Sequence, residues 1–348
     1  VGWERGAGGE RGRDRGRSLA RSSVISFMTL LLTVAMIAAP AWAQEEPPAP
    51  GPLELFVQFS RSQLAATGFT RHEAEVEGRR MVWWQKGEGP TVVMVHGVAS
   101  QAGSWFLVAP GMAEDHRVLL VDLPGHGESE PESGPLAMST VVAGFESWLA
   151  EHATGDGTEP ATLVGNSMGA WVATLAALHH PERVRRLVLV NGGGLRADTG
   201  ELDLLPESRE EARRLMAALR DPSSPQTPDA VLDDLVRRVP GGEVERMFAE
   251  EEDLESHLLD GRLGEVETPV DVLWGESDRY LGRDYPDRLV AELPNARLTL
   301  VPRCGHLPQA ECPQRFAERL GELLASPPPG DDEVTDGKET GGASGRPR

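Results

Sequence analysis

The sequence predicts an α/β fold, a mostly parallel sheet with helices on both faces. Three observations carry that prediction. Short continuous apolar runs recur at residues 91–95, 118–121, 161–164 and 187–190, as expected of parallel strands covered on both sides. Helix-like stretches at 140–152 and 168–178 lie between them. Between the third run and the second of those helices stands Gly165-Asn166-Ser167-Met168-Gly169, a G-x-S-x-G set in a strand-to-helix turn.

The 348 residues suit one sizeable domain with an extension at each end. Scattered arginines from Arg11 to Arg21, an apolar run over 24–39 and the small-residue site Ala41-Trp42-Ala43 predict a secretory signal peptide over 1–43. The mature chain would then begin at Gln44 and be periplasmic or secreted. A sixteen-residue run is short for a spanning helix, so an uncleaved membrane anchor is only the alternative. Residues 44–52 form a proline-rich acidic linker. The domain itself is expected over 53–325. Helical spacing of Leu53, Phe56, Val57 and Leu64 places a helix on its edge, and 73–78 with 81–86 alternate as a hairpin holding Trp83-Trp84.

After the run at 187–190 the alternation stops. Residues 195–267 hold no convincing strand and at least two helices. Ser208-Arg209-Glu210-Glu211 is a capping box, with Ala212, Leu215, Met216 and Leu219 on one face beyond it. Thr227-Pro228 opens the next helix, with Val231, Leu232, Leu235, Val236 and Val239 apolar. An insertion after the sixth strand lies over the carboxyl ends of the strands, where open α/β sheets bind ligands, and is expected to cap the site. Strands at 270–274 and 297–301 and a helix at 313–324 complete the domain. The tail, 326–348, has almost nothing apolar and is expected to be disordered.

The formal net charge is −21, and removing residues 1–43 takes away six Arg and three acids to leave 28 basic and 52 acidic side chains, net −24. So acidic a surface argues against nucleic acid and anionic membranes as partners.

Chemistry concentrates on Ser167. A tight turn there exposes the hydroxyl above the sheet, and the following helix points free N–H groups at any negative charge beside it. Serine needs a base, and the base an orienting acid. Both follow at strand ends: Asp278 in Trp274-Gly275-Glu276-Ser277-Asp278 and His306 in Cys304-Gly305-His306. Glu276 is the rival acid. His96 and His126 lie in turns, where a structural role suffices, and neither has a second ligand at metal spacing, so no metal is expected. His179-His180 reads as an exposed helix end. No G-x-G-x-x-G opens a strand-to-helix turn, so no nucleotide cofactor is implied.

Five motifs in order, residues 91–98 with His96-Gly97, the run from Asp122 to Ser129, 165–169, 274–278 and 304–306, resemble the α/β-hydrolase superfamily over about 72–325. Asn191-Gly192-Gly193-Gly194-Leu195 before a helical cap is similar to its capped esterase and monoacylglycerol lipase group. The resemblance implies Ser167 as nucleophile, His306 as base and Asp278 as orienting acid. It also implies an oxyanion hole made by the Val98 and Met168 amides. The expected activity is a secreted serine ester hydrolase acting on monoacylglycerols or short-to-medium acyl esters, selected by a small apolar cap. Cleavage of a carbon–carbon bond, cofactor-free perhydrolysis and a non-catalytic binding module are the alternatives. Cys304 and Cys312, the two cysteines, flank His306; both are expected to stay free, with a bridge as the alternative reading.

Overall fold

The computed structural model describes residues 49–154 and 159–330. The expected signal peptide lies outside the described residues, as do most of the linker and tail. Eight strands form one sheet in the order β1-β2-β4-β3-β5-β6-β7-β8. They are β1 (Thr70–Val76), β2 (Arg79–Lys86), β3 (Thr91–Val95), β4 (Arg117–Asp122), β5 (Ala161–Asn166), β6 (Val184–Val190), β7 (Val270–Gly275) and β8 (Ala296–Val301). The β1–β2 hairpin joins antiparallel to itself and to β4; from β4 to β8 every pairing is parallel. The predicted α/β fold class therefore stands.

The continuous apolar runs are explained by what each face of the sheet meets. Side chains alternate along a strand, so a strand covered on both faces needs apolar residues at every position. Val93, Val95, Leu119, Val121, Leu163, Leu187 and Leu189 pack under the helices Met138–Trp148 and Met168–His179. Val92, Met94, Val118, Leu120, Val164, Val188 and Val190 face the other layer, where Trp105 and the helix Pro313–Ala325 supply Phe316 and Leu320. Trp83 and Trp84 are split between the two layers by the same alternation.

Helix Pro52–Ala66 buries Ser60 and Leu64 rather than the whole expected stripe. Phe56 is 45% exposed. The buried serine is there because Gln101 Nε2 donates to its hydroxyl at 3.1 Å, a polar partner that helical spacing cannot reveal. Ser326, at the start of the expected tail, is docked: its carbonyl accepts from Arg186 Nη1 at 2.9 Å.

Between β6 and β7 lie four α-helices, Arg209–Ala218, Asp229–Arg238, Glu243–Phe248 and Glu251–Ser256. Ser208 caps the first by accepting from the Glu211 amide, but Glu211 reaches back to the amide of Glu207, not of Ser208. The second begins at Asp229, with Pro228 in the capping position and no side-chain cap, so Thr227 does not serve as one. This helical segment is tied to the rest at several points. Asp234 accepts from the Leu53 amide at 2.9 Å, capping the helix Pro52–Ala66 from outside. The buried Arg246 guanidinium donates to the carbonyls of Gly134 and Pro131, both at 2.7 Å. Trp171, one turn beyond Ser167, donates its indole N–H to the His257 carbonyl at 2.8 Å. Among the described residues no helix is long and apolar enough to cross a membrane.

Candidate active site

Ser167 sits at φ +55°, ψ −119°, a conformation that L-residues adopt only under constraint. The constraint is the closeness of strand and helix. A Cβ on Gly165 would lie 2.3 Å from the Gly169 carbonyl oxygen, and one on Gly169 would lie 2.3 Å from that of Val95. Glycine is required at both places because backbone atoms cannot move aside. A third glycine, Gly192 after β6, presses the other side: its Cβ would meet the Ser167 carbonyl oxygen at 2.3 Å. The sequence reading did not assign it that task.

The three predicted catalytic side chains are brought together. The Ser167 hydroxyl lies 2.9 Å from His306 Nε2, and His306 Nδ1 lies 2.8 Å from Asp278 Oδ2. With the ring hydrogen on Nδ1, Nε2 is free to accept the serine proton. Asp278 and His306 are 1% and 3% exposed, so the pair works away from bulk water. Burial pushes the Asp278 carboxyl up, but the charge and hydrogen bond of His306 and the amide of Asn191 outweigh it and hold the carboxyl below its ordinary range. Glu276, the rival acid, is exposed.

Asn191 was missed by sequence reasoning. Its Nδ2 donates to Asp278 Oδ2 at 2.8 Å, while its Oδ1 accepts from the Gly275 amide at 2.9 Å. One side chain thus fixes the acid and the end of β7 together. Asn166 does similar work for the base, donating to the His306 carbonyl at 3.0 Å and accepting from Gln309. An asparagine at the carboxyl end of a strand was the available signal in both cases.

Met168 opens the helix that follows Ser167. A Cβ on Gly97 would lie 3.1 Å from that of Ser167, so the His96-Gly97-Val98 turn lies against the serine. The turn leading to Val98 and the start of the helix at Met168 thus both border Ser167. His96 accepts from the Leu123 amide at 3.0 Å, and its Nδ1 donates to the Gly97 carbonyl at 2.7 Å. Burial, then the neighbouring His126, push it down to about 3, so it stays neutral and structural.

Tyr280 stands edge-on to the His306 ring at 5.3 Å. It lines a cavity of about 410 Å³ together with Thr199, Glu201, Leu202, Asp203, Leu204 and Phe248. Leu215 and Met216, expected to roof the site, are not in that lining. Leu215 is buried in the helix Arg209–Ala218, which packs on its neighbour Asp229–Arg238. The cavity is instead walled by the irregular segment before the first of these helices.

Cys304 and Cys312 form a disulfide with Cα atoms 6.0 Å apart, contrary to the expectation of free thiols. The short helix Pro308–Glu311 turns the chain back so that their side chains meet, a geometry spacing alone does not disclose.

This arrangement can be set beside known proteins. The model of the alpha/beta hydrolase family matches residues 92–319. The 2-hydroxy-6-oxononadienedioate/2-hydroxy-6-oxononatrienedioate hydrolase of Cupriavidus pinatubonensis is 31% identical over 68% of this chain and 87% of its own. The 2-hydroxy-6-oxo-6-phenylhexa-2,4-dienoate hydrolase of Burkholderia cepacia is 29% identical over 69% and 89%. Among solved structures, the corresponding phenylhexadienoate hydrolase from Rhodococcus sp. strain RHA1 is similar at TM-score 0.62, with 25% identity over 74% of this chain and 99% of that one. A bacterial membrane phospholipase A shares the fold at TM-score 0.66, with 24% identity over 78% of this chain and 91% of that one. With well over half of its length matched and the G-x-S-x-G turn at the carboxyl end of β5, the chain belongs to the alpha/beta hydrolase family.

Proposed function

We propose that this protein is a serine hydrolase that cleaves uncharged acyl esters through an acyl-enzyme. The hydrogen-bonded series Ser167–His306–Asp278 carries the reading. Ser167 Oγ attacks the carbonyl carbon while His306 Nε2 takes its proton. The oxyanion is met by the Val98 and Met168 amides, each such donor contributing about 3 kcal/mol at the transition state. His306 then protonates the leaving alkoxide. Water, deprotonated by the same nitrogen, attacks the acyl carbon and releases the acid, returning the proton to Ser167.

The cavity lined by Tyr280, whose ring stands against His306, supports an uncharged substrate. Its lining offers Leu202, Leu204, Phe248 and Tyr280 to an acyl chain or small alcohol, and its charged members, Glu201 and Asp203, are both acidic. Monoacylglycerols and short-to-medium acyl esters fit that chemistry.

A second reading is favoured by the relatives, several of which are hydrolases of 2-hydroxy-6-oxo dienoates and dienedioates. The same triad would then break a carbon–carbon bond next to the oxo group. Such substrates carry carboxylates, which Glu201 and Asp203 would repel. The purified enzyme offered p-nitrophenyl butyrate, monoolein and 2-hydroxy-6-oxo-6-phenylhexa-2,4-dienoate in parallel distinguishes the readings. Ester turnover well above dienoate turnover is expected; the reverse ranking would replace ester hydrolysis by carbon–carbon cleavage. We further propose export, on the basic, apolar and A-x-A pattern of residues 1–43. Amino-terminal sequencing of native protein should return Gln44, and an intact 24–39 stretch would overturn cleavage.

A further inference from the structure

The loop that carries His306 is held from outside the triad by Glu311. Its carboxylate is nearly buried, with 6% of the side chain exposed. Oε2 accepts from the Gly305 amide at 2.5 Å, immediately before the base. Oε1 accepts from the Asp221 amide at 2.9 Å and from the Ser224 hydroxyl at 2.5 Å, both in the helical segment above the sheet. One side chain therefore joins the base loop to the turn at 219–224.

That turn reaches the catalytic acid as well. Ser277, next to Asp278, donates its hydroxyl to Asp221 Oδ2 at 2.5 Å. The His306 amide donates to the Leu219 carbonyl at 2.8 Å, and the Arg279 amide to the Ala218 carbonyl at 3.1 Å. There is no slack in this contact: a Cβ on Gly305 would lie 2.3 Å from the Leu219 oxygen. The disulfide Cys304–Cys312 closes the same loop, with His306 and Glu311 both inside it.

We propose that Glu311 is a positioning residue for His306, registering the imidazole against Ser167 by clamping its loop to the 219–224 turn. The Asp278 bond fixes the direction in which Nδ1 points and keeps the proton there; the clamp fixes where the ring's backbone stands. Without the carboxylate, the Gly305 and Asp221 amides lose their acceptor and the loop can withdraw from the turn. Displacement of a reacting group by about 1 Å costs on the order of a hundredfold in rate. The proposal rests on the serine-hydrolase reading of the site, not on the identity of the substrate.

The test uses a fluorophosphonate probe on the purified wild type, Glu311→Ala and Glu311→Gln, reading both the fraction of molecules labelled and the labelling rate of that fraction. A merely structural role would lower the labelled fraction and leave its rate unchanged. Positioning predicts a full labelled fraction with a rate lower by about 10- to 100-fold in Glu311→Ala. Glu311→Gln, which keeps the volume and one acceptor oxygen, should lie between. If Glu311→Ala does not fold, Glu311→Gln alone decides: a wild-type rate overturns the proposal, and a slower rate at full amplitude supports it. Wild-type protein that takes no label would instead sink the serine-hydrolase reading.

Discussion

The sheet places Ser167, Asp278 and His306 by rules that act over a few residues. Each leaves the carboxyl end of a strand, β5, β7 or β8, in a turn whose backbone has no spare volume. The helical segment above is placed by contacts between distant parts of the chain: Leu53 to Asp234 spans 181 positions, Gly134 to Arg246 spans 112, and Asp221 to Glu311 spans 90. The turns offer no alternative partner when disturbed, whereas the segment is held at many points and can lose one. Substitutions in the turns should therefore abolish chemistry, and those in the segment should tune it.

The strongest way to break that contrast is at the triad. Ser167→Ala, His306→Ala and Asp278→Asn should each fold yet lose about four to six orders of magnitude in p-nitrophenyl ester hydrolysis, because the three act as a unit. Loss of less than tenfold in Ser167→Ala would end the assignment of Ser167. The next test compares two glycines. Gly192→Ala forces a methyl to 2.3 Å from the Ser167 carbonyl oxygen, whereas Gly241, between the second and third helices of the upper segment, has nothing within 4 Å and only its φ of +73° to protect. Gly192→Ala should cost activity and about 1–3 kcal/mol of stability. Gly241→Ala should cost about 1 kcal/mol with activity intact. Thermal melts and ester assays on both proteins check this, and equal activity losses would erase the distinction.

The meeting of Ser167, Asp278 and His306 was legible because each is announced by neighbours in sequence: glycines on either side of Ser167, and strand ends before Asp278 and His306. What was not legible arises through space. Asn191 matters because β6 and β7 are adjacent in the sheet, which brings it to Asp278 across 87 positions. The disulfide depends on a four-residue helix turning Cys312 back on Cys304. The cavity wall was expected on the amphipathic helix holding Leu215, but that apolar face is consumed by packing on its neighbour, and residues 199–204 line the cavity that Tyr280 shares. Amphipathicity reports that a face is buried, not against what.

Asp122 sharpens the comparison within the core. It accepts from the Ala102 amide at 2.6 Å and the Glu128 amide at 2.9 Å, tying the loops at 102 and 128 to the end of β4. Burial nevertheless dominates these bonds and the nearby Arg61, and the carboxyl is pushed up to about 6 from 3.8. A native carboxyl raised above its unfolded value holds its proton in the folded state while the unfolded chain has lost it. Its contribution to stability is thus full below about pH 4, declines between about 4 and 6, and is absent above. Asp122→Asn cannot titrate and should be less stable at low pH, with the gap to wild type narrowing across that window. Melting temperatures measured from pH 4 to 7 test this. Parallel curves for the two proteins would place the titration elsewhere.

The smallest effect is expected at the cavity wall, where charge is set on an irregular segment beside solvent. Glu201 and Asp203 line the cavity with Tyr280, and the closeness of Asp203 is felt by the Tyr280 hydroxyl, which burial first and that carboxylate second raise above its ordinary range. Exposed charges act through solvent and are screened by salt, so each contributes well under about 1 kcal/mol. The double variant Glu201→Gln with Asp203→Asn should leave kcat/KM for p-nitrophenyl butyrate within about twofold of wild type. For an ester of a dicarboxylic acid, such as a p-nitrophenyl hydrogen succinate, it should rise by about three- to tenfold at low salt, and that gain should shrink in 0.5 M salt as screening removes what the carboxylates did. A rise in dienoate cleavage of the same size with no change in ester turnover would show that the wall filters charge in either chemistry. An unchanged ratio of anionic to neutral substrate would mean that the acidic lining does not meet the substrate, and the preference for uncharged esters would lose its support.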